Sequence, residues 1–333
     1  MGYKEIIQQL NAQLTGNYEV DIPFLQMKGE QYKSHEQARE ILRAITGMIY
    51  DCLPEHMKAQ LTQQVYSEEQ EVQKKLEQAI HQLAERECEQ AKQTIEAVLE
   101  IIHSQHGDEK QGEYFSFHSM LESLLYQEYF KPEHKVHQTT HDNSLIYRIY
   151  GCILAAMKQM DQAVQAFENS LRWNPLDVET LFELGEVYKQ IEELDKFRDL
   201  SLQSLKYATS GGDLARSYRN LGYYYVDEED YETAISLYYL SNSYEPNQMA
   251  SSELQFIAQK LGKELTKPDM KQVAAALEAH NIAIGADEAV IGIALALAQR
   301  AKEHKDVEAA KHHYSLVYEL TGDPAVQAEL KQL

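Results

Sequence analysis

The chain has 333 residues and carries 31 basic against 53 acidic side chains, a formal charge of −22. That balance repels phosphate backbones and anionic lipid, so no nucleic acid and no membrane surface is expected as a partner. Apolar residues make up 44% of the chain, enough for helices that each bury a stripe, yet no run approaches the roughly 18 continuous apolar residues of a membrane span.

The opening Met1-Gly2-Tyr3-Lys4-Glu5-Ile6 lacks the charged start and apolar block of a secretory signal, and Ile6 stands where a myristoylation motif wants Ser or Thr. A soluble, cytoplasmic protein is expected. Residues 1–67 read as a mostly helical region: a short amphipathic helix (Ile6, Ile7, Leu10, Leu14), an extended stretch over Val20 to Met27, and a helix from about His35 to Leu53.

Residues 68–143 read as divergent helical repeats. Glu68 to His103 contains no Gly or Pro and spaces Val72, Leu76, Ile80, Leu83, Ala91, Ile95, Val98 and Ile102 at the helical period. One long helix and a pair broken near Arg86 both fit; Ala91 through Ile95 looks like the second helix of a pair, but no glycine precedes it at the right offset. A polar loop, Ser104 to Gly112, leads to an apolar and aromatic run, Tyr114 to Phe130, read as further helix and closed by Pro132. His134, His137 and His141 would share one face if helical. The surrounding Thr139-Thr140 and Asp142-Asn143 favour a polar connection and a helix cap over a rigid metal site.

Residues 144–250 repeat themselves. Gly151, Gly185 and Gly222 each sit inside a helical pattern, with Ala163 and Ala234 twelve residues on from the first and third, Phe167 and Tyr238 sixteen on, and Pro175 and Pro246 twenty-four on. The second unit departs, with Phe197, Ser201 and Thr209 at those offsets, so its second helix is expected to pack atypically. A glycine in a helix interior costs about 1 kcal/mol relative to alanine, so its recurrence at one register implies close helix approach. Asp161 and Asp230 stand where second helices begin, as capping residues would.

Tyr218-x2-Leu221-Gly222-x2-Tyr225, then Ala234-x3-Tyr238 and Pro246, resembles the tetratricopeptide repeat family; Tyr147-x2-Tyr150-Gly151-x2-Leu154 and Leu181-x2-Leu184-Gly185-x2-Tyr188 follow the same order. The resemblance implies an all-α, right-handed superhelical solenoid of antiparallel helix pairs that binds protein or peptide in a concave groove lined by first helices. Carried over in register, the groove positions are Leu145, Arg148, Ile149 and Cys152; Glu179, Phe182, Glu183, Glu186 and Lys189; and Arg216, Arg219, Asn220 and Tyr223. The chain's own terminal helices are an alternative filling for that groove. The family's carboxylate clamp for chaperone C-termini is matched only in part. Arg148 and Arg216 fit its basic positions, but Cys152 and Glu183 replace asparagines and Asn220 replaces a basic residue.

Residues 251–333 read as degenerate repeats and a cap. Leu254-x2-Ile257-Ala258-x2-Leu261 looks like a first helix and a second starts near Pro268, while Ala294-x2-Leu297-Ala298, Ala310-x3-Tyr314 and Pro324 resemble a terminal unit. Lys302, Glu303, Lys305, Lys311 and Glu319 fit its polar outer face.

Cys52, Cys88 and Cys152 lack metal spacing and read as reduced structural thiols. No Gly-rich phosphate loop, H-E-x-x-H, G-x-S-x-G or C-x-x-C occurs. The expectation is a protein-binding scaffold, not an enzyme, with no cofactor and no metal. A peptide-sensing regulator is the runner-up, and a metal-dependent enzyme on the histidine set the minor alternative.

Overall fold

A computed structural model describes residues 2–33, 35, 37–105 and 112–333, excepting the side chains of residues 39, 62–67 and 105. Most of the polar loop expected over Ser104 to Gly112 lies outside the described residues. The chain forms two compact units, Met1–Lys74 and Lys75–Leu333.

The first unit holds α1 (Tyr3–Ala12), α2 (Tyr18–Tyr32), α3 (Ala38–Cys52) and the start of α4 (Glu55–Ala84). Ile6, Leu10, Leu25, Ile41, Ile45 and Met48 make its core. The extended stretch expected over Val20 to Met27 is instead the middle of α2. Asn17 caps it through Glu19 N, and the buried Asp21 carboxylate accepts from Thr15 N, Thr15 Oγ1 and Gly16 N, which turns the chain into the helix. Pro23 sits inside this helix. Its cost, about 3 kcal/mol in a helix interior, is offset by burial of the Leu25 face.

In the second unit α4 ends and α5 (Cys88–Gln105) begins across a turn at Arg86, which settles the open reading of this segment as a helix pair. Arg86 has φ 62°, and Glu87 N donates back to Gln82 O. The same left-handed turn recurs at Lys158, Glu192, Glu229 and Lys305. Each follows a first helix by seven residues from Gly151, Gly185, Gly222 and Ala298, and Arg86 follows Ala79 by the same step. Ala79 and Ala298, both fully buried, therefore stand in the glycine's place. Alanine is the next smallest choice, and the turn between α4 and α5 shares its spacing with the repeats that follow.

Tyr114 to Phe130 is not one helix. Tyr114–Phe115 (β1) pairs in parallel with His137–Gln138 (β2), through His137 N to Glu113 O and Thr139 N to Phe115 O, and α6 spans only Met120–Phe130. Ser119 fixes that start by accepting from Glu122 N. The sequence pattern implies helix throughout apart from Val20 to Met27; this short strand pair corrects that expectation.

The repeats follow as α7 (Asn143–Ala156) with α8 (Met160–Trp173), α9 (Val178–Gln190) with α10 (Leu194–Tyr207), and α11 (Gly211–Asp227) with α12 (Tyr231–Tyr244). Each helix packs on its partner and on the next unit, an all-α solenoid of the tetratricopeptide kind. α5 stacks directly on α7, so the described residues 112–142 are an insertion between them. The glycines lie where expected. A Cβ on Gly151 would meet the Phe167 ring at 2.7 Å and one on Gly222 the Tyr238 ring at 2.9 Å. In the atypical second unit Phe197 is fully buried, and a Cβ on Gly185 would reach its ring only at 3.4 Å. Asp230 caps α12 by accepting from Thr233 N, but Asp161 is no cap: Gln159 precedes α8 and Asp161 lies in its first turn.

Beyond Pro246 come α13 (Gln248–Leu261), α14 (Met270–Glu278), α15 (Glu288–Glu303), α16 (Val307–Thr321) and α17 (Pro324–Leu330). The last pair does not simply present a polar end. α15 packs on α6, Tyr129 Oη donates to Asp287 Oδ1 at 2.9 Å, Gly285 N donates to Tyr218 Oη, and Gly211 N donates to Glu319 Oε1 at 2.7 Å. Glu319, itself exposed, thus also serves the N-terminus of α11, where a helix needs acceptors.

Candidate functional site

Helices α7, α9 and α11 carry the expected groove residues, and buried polar groups set where these helices start. Asp177 caps α9. Its Oδ2 accepts from Thr180 Oγ1 at 2.6 Å and Ser144 Oγ at 3.3 Å, and lies 3.7 Å from Arg148 Nε. Ser170 joins this cluster through Ser144 and Thr180, so α7, α8 and α9 share one polar knot. Asp142 caps α7 through Leu145 N and pairs with His118 Nε2 at 3.1 Å. Glu122 lies 3.6 Å from the other ring nitrogen of His118.

The hydrogen bond from Asp142, then the one from Glu122, pushes the His118 imidazole up to about 10. Since the folded value lies above the unfolded one near 6.5, this pairing contributes fully below pH 6.5 and is lost as pH rises through about 10. NMR titration is expected to find His118 still protonated at about pH 8, and Asp142→Asn to bring its midpoint down. An unshifted wild-type midpoint would show that the pair does not form.

The groove's cations are already engaged. Arg216 on α11 reaches Glu183 Oε1 at 3.2 Å and Glu179 Oε2 at 3.6 Å, and its guanidinium covers the Phe182 ring at 4.3 Å. Phe182 is only 2% exposed, so it forms floor beneath Arg216 and not open wall. Lys189 pairs with Glu186 at 2.6 Å and sits over the Tyr223 ring at 5.2 Å. Tyr223 in turn meets Phe197 edge to face. Asn220, half-buried, occupies the stripe between Arg216 and Tyr223.

Arg219 turns elsewhere. Its guanidinium reaches Ser241 Oγ and Glu245 Oε2 on the α12 side, each at 3.3 Å. Arg148 stays with Asp177, apart from the Arg216 cluster. Cys152, one helical turn on, has its thiol pushed up to about 12, first by burial and then by Glu183, which leaves a neutral group. Glu183 beside Arg216 would repel an incoming carboxylate, as expected for a chain that departs from the carboxylate clamp.

The register stops short of one further first helix. Ser252, Glu253, Phe256 and Lys260 on α13 join Tyr223 and Asp227 on α11 around an open cleft of ≈ 440 Å³. The offsets that join Gly222 to Arg216 and Asn220 join Ala258 to Ser252 and Phe256, so the pattern contained this extension.

The histidine set is not helical: His137 lies in β2 and stacks on Tyr114 at 5.2 Å. Among the described residues no group of three or more His, Cys, Asp or Glu is arranged to hold a metal ion. The three cysteines are free thiols. No described helix is long and apolar enough to cross a membrane.

The family model described as tetratricopeptide repeat matches residues 146–175, which run along most of α7, all of α8 and to Pro175. No curated protein matches the chain.

Proposed function

We propose that this chain, a tetratricopeptide repeat protein, is a cytoplasmic scaffold that holds a segment of another protein along the first-helix groove of α9, α11 and α13. The observation that carries the reading is the exposed Tyr223, 39% accessible between the ion-paired stripe of α9 and the α13 cleft. Repeat stacks of this kind serve protein interaction in general, and an exposed aromatic in a polar setting is the sort of anchor such interfaces use. The double variant Asn220→Arg/Tyr223→Ala is expected to lose partners captured from native extract, with helical circular dichroism unchanged. Capture indifferent to that variant would place the interface on another face.

A peptide-sensing regulator has one observation of its own. The bonds from Tyr129 to Asp287 and from Gly211 to Glu319 tie segments 158 and 108 residues apart within the second unit, so any ligand that alters the stack's curvature must strain them. Faster amide exchange in α6 and α15 on ligand binding would favour this reading; unchanged exchange would favour the plain scaffold.

A further inference from the structure

The cleft between α11 and α13 differs from the rest of the groove in the state of its charges. Along α9 each groove carboxylate named above has a cation beside it. Asp227 and Glu253, on either side of the cleft, make no ion pair among the described residues. With Glu229 they outnumber the lone lining cation, Lys260. Aromatic rings stand open beside them: Tyr223 is 39% and Phe256 41% exposed, whereas Tyr218, Tyr224, Tyr225 and Tyr238 of the same unit are buried. The Tyr223 phenol is held above its ordinary value by burial and then by Asp227, Glu253 and Glu186, so both carboxylates act at the ring.

These rings already bind cations of their own chain. Lys189 Nζ sits 5.2 Å from the Tyr223 centroid and Lys260 Nζ 5.4 Å from that of Phe256. A ring face attracts a cation through its quadrupole, and a nearby unpaired carboxylate adds direct Coulomb attraction. An acidic segment would meet three carboxylates against one ammonium, and a nucleic acid would meet the same field.

We infer that this cleft receives a lysine or arginine side chain, flanked by an apolar residue, from an extended segment of another protein. The assignment rests on the groove reading above and names the chemistry of its partner. The carboxylates Asp227 and Glu253 take the charge, Phe256 and Tyr223 take the stem and the neighbouring apolar residue, and the segment continues along α9. The cleft's continuity with that stripe selects a chain segment over a small free amine.

The test uses the full-length protein and two labelled twelve-residue peptides, one of lysine, leucine and glycine, the other with glutamate in place of lysine. Fluorescence anisotropy is expected to show the lysine peptide binding at least about ten-fold tighter, with affinity falling as salt rises. Asp227→Asn/Glu253→Gln is expected to weaken it about ten-fold and Phe256→Ser several-fold. Because these side chains lie at the surface, the fold should survive, which circular dichroism checks. The charge-matched control Glu303→Gln/Glu308→Gln, on α15 and α16, is expected to bind within about two-fold of the parent.

Equal binding of the glutamate peptide, an unaffected Asp227/Glu253 variant, or an equal loss in the control would each overturn the proposal. If partner capture still depends on Tyr223 while the lysine peptide is ignored, the partner's chemistry is wrong and the groove stands. If capture is also indifferent to Tyr223, the groove reading falls with it.

Discussion

Gly151→Ala is expected to destabilise the repeats by about 1 to 3 kcal/mol, although alanine is the better helix former. The added methyl would lie 2.7 to 2.8 Å from three ring atoms of Phe167, and that ring is itself 1% exposed and walled in. The helix must move away from its partner or the ring must leave its rotamer. Gly222→Ala, against the Tyr238 ring at 2.9 to 3.1 Å, should cost somewhat less. Gly185→Ala should be neutral or stabilising by up to about 1 kcal/mol, because Phe197 stands 3.4 Å away and the gain in helix propensity is not opposed. Denaturant melts of the three variants measure this. A Gly185→Ala loss larger than that of Gly151→Ala would contradict close approach as the reason for the glycines.

The second large effect is expected from Asp177→Ala, about 3 kcal/mol or more. One carboxylate caps α9 through Thr180 N, accepts from the Thr180 and Ser144 hydroxyls, and faces Arg148. Loss of an N-cap alone costs about 1 kcal/mol, and leaving a buried donor without its acceptor costs about 1 to 3 kcal/mol. Arg148 Nε, buried and without a hydrogen bond, also loses the carboxylate 3.7 Å away that balances its charge. The damage should be local at first, with faster amide exchange in the first two turns of α9, which carry Glu179, Phe182 and Glu183. A loss under about 1 kcal/mol would mean that water replaces the carboxylate without penalty.

What could be read from the sequence follows from which forces leave a spelling. Close helix approach demands a small residue at one position, so Gly151, Gly185 and Gly222 announced their units. Ala79 and Ala298 satisfy the same demand less visibly, so the pattern alone left one long helix and a pair broken near Arg86 both open. Long-range pairing left no local mark. The strand at Tyr114–Phe115 depends on a partner 23 residues away, and Glu319 serves a helix start 108 residues earlier. Val20 to Met27 misled because Pro23 argues against helix locally, while burial of Leu25 decides otherwise. At the groove, register fixed which residues share a face. It gave no information on pairing: Arg216 turns to Glu183 and Glu179, and Arg219 to Glu245.

The most direct measurement of the binding face is site-directed photo-crosslinking with the light-activated residue placed at Tyr223 or Phe256 in the groove, and at Gln203 on α10 or Glu232 on α12, all four exposed. If the first helices bind the partner, crosslinks form from Tyr223 and Phe256 and are absent from Gln203 and Glu232. Crosslinks from the second-helix positions alone would contradict the groove and leave the repeats with a different binding surface.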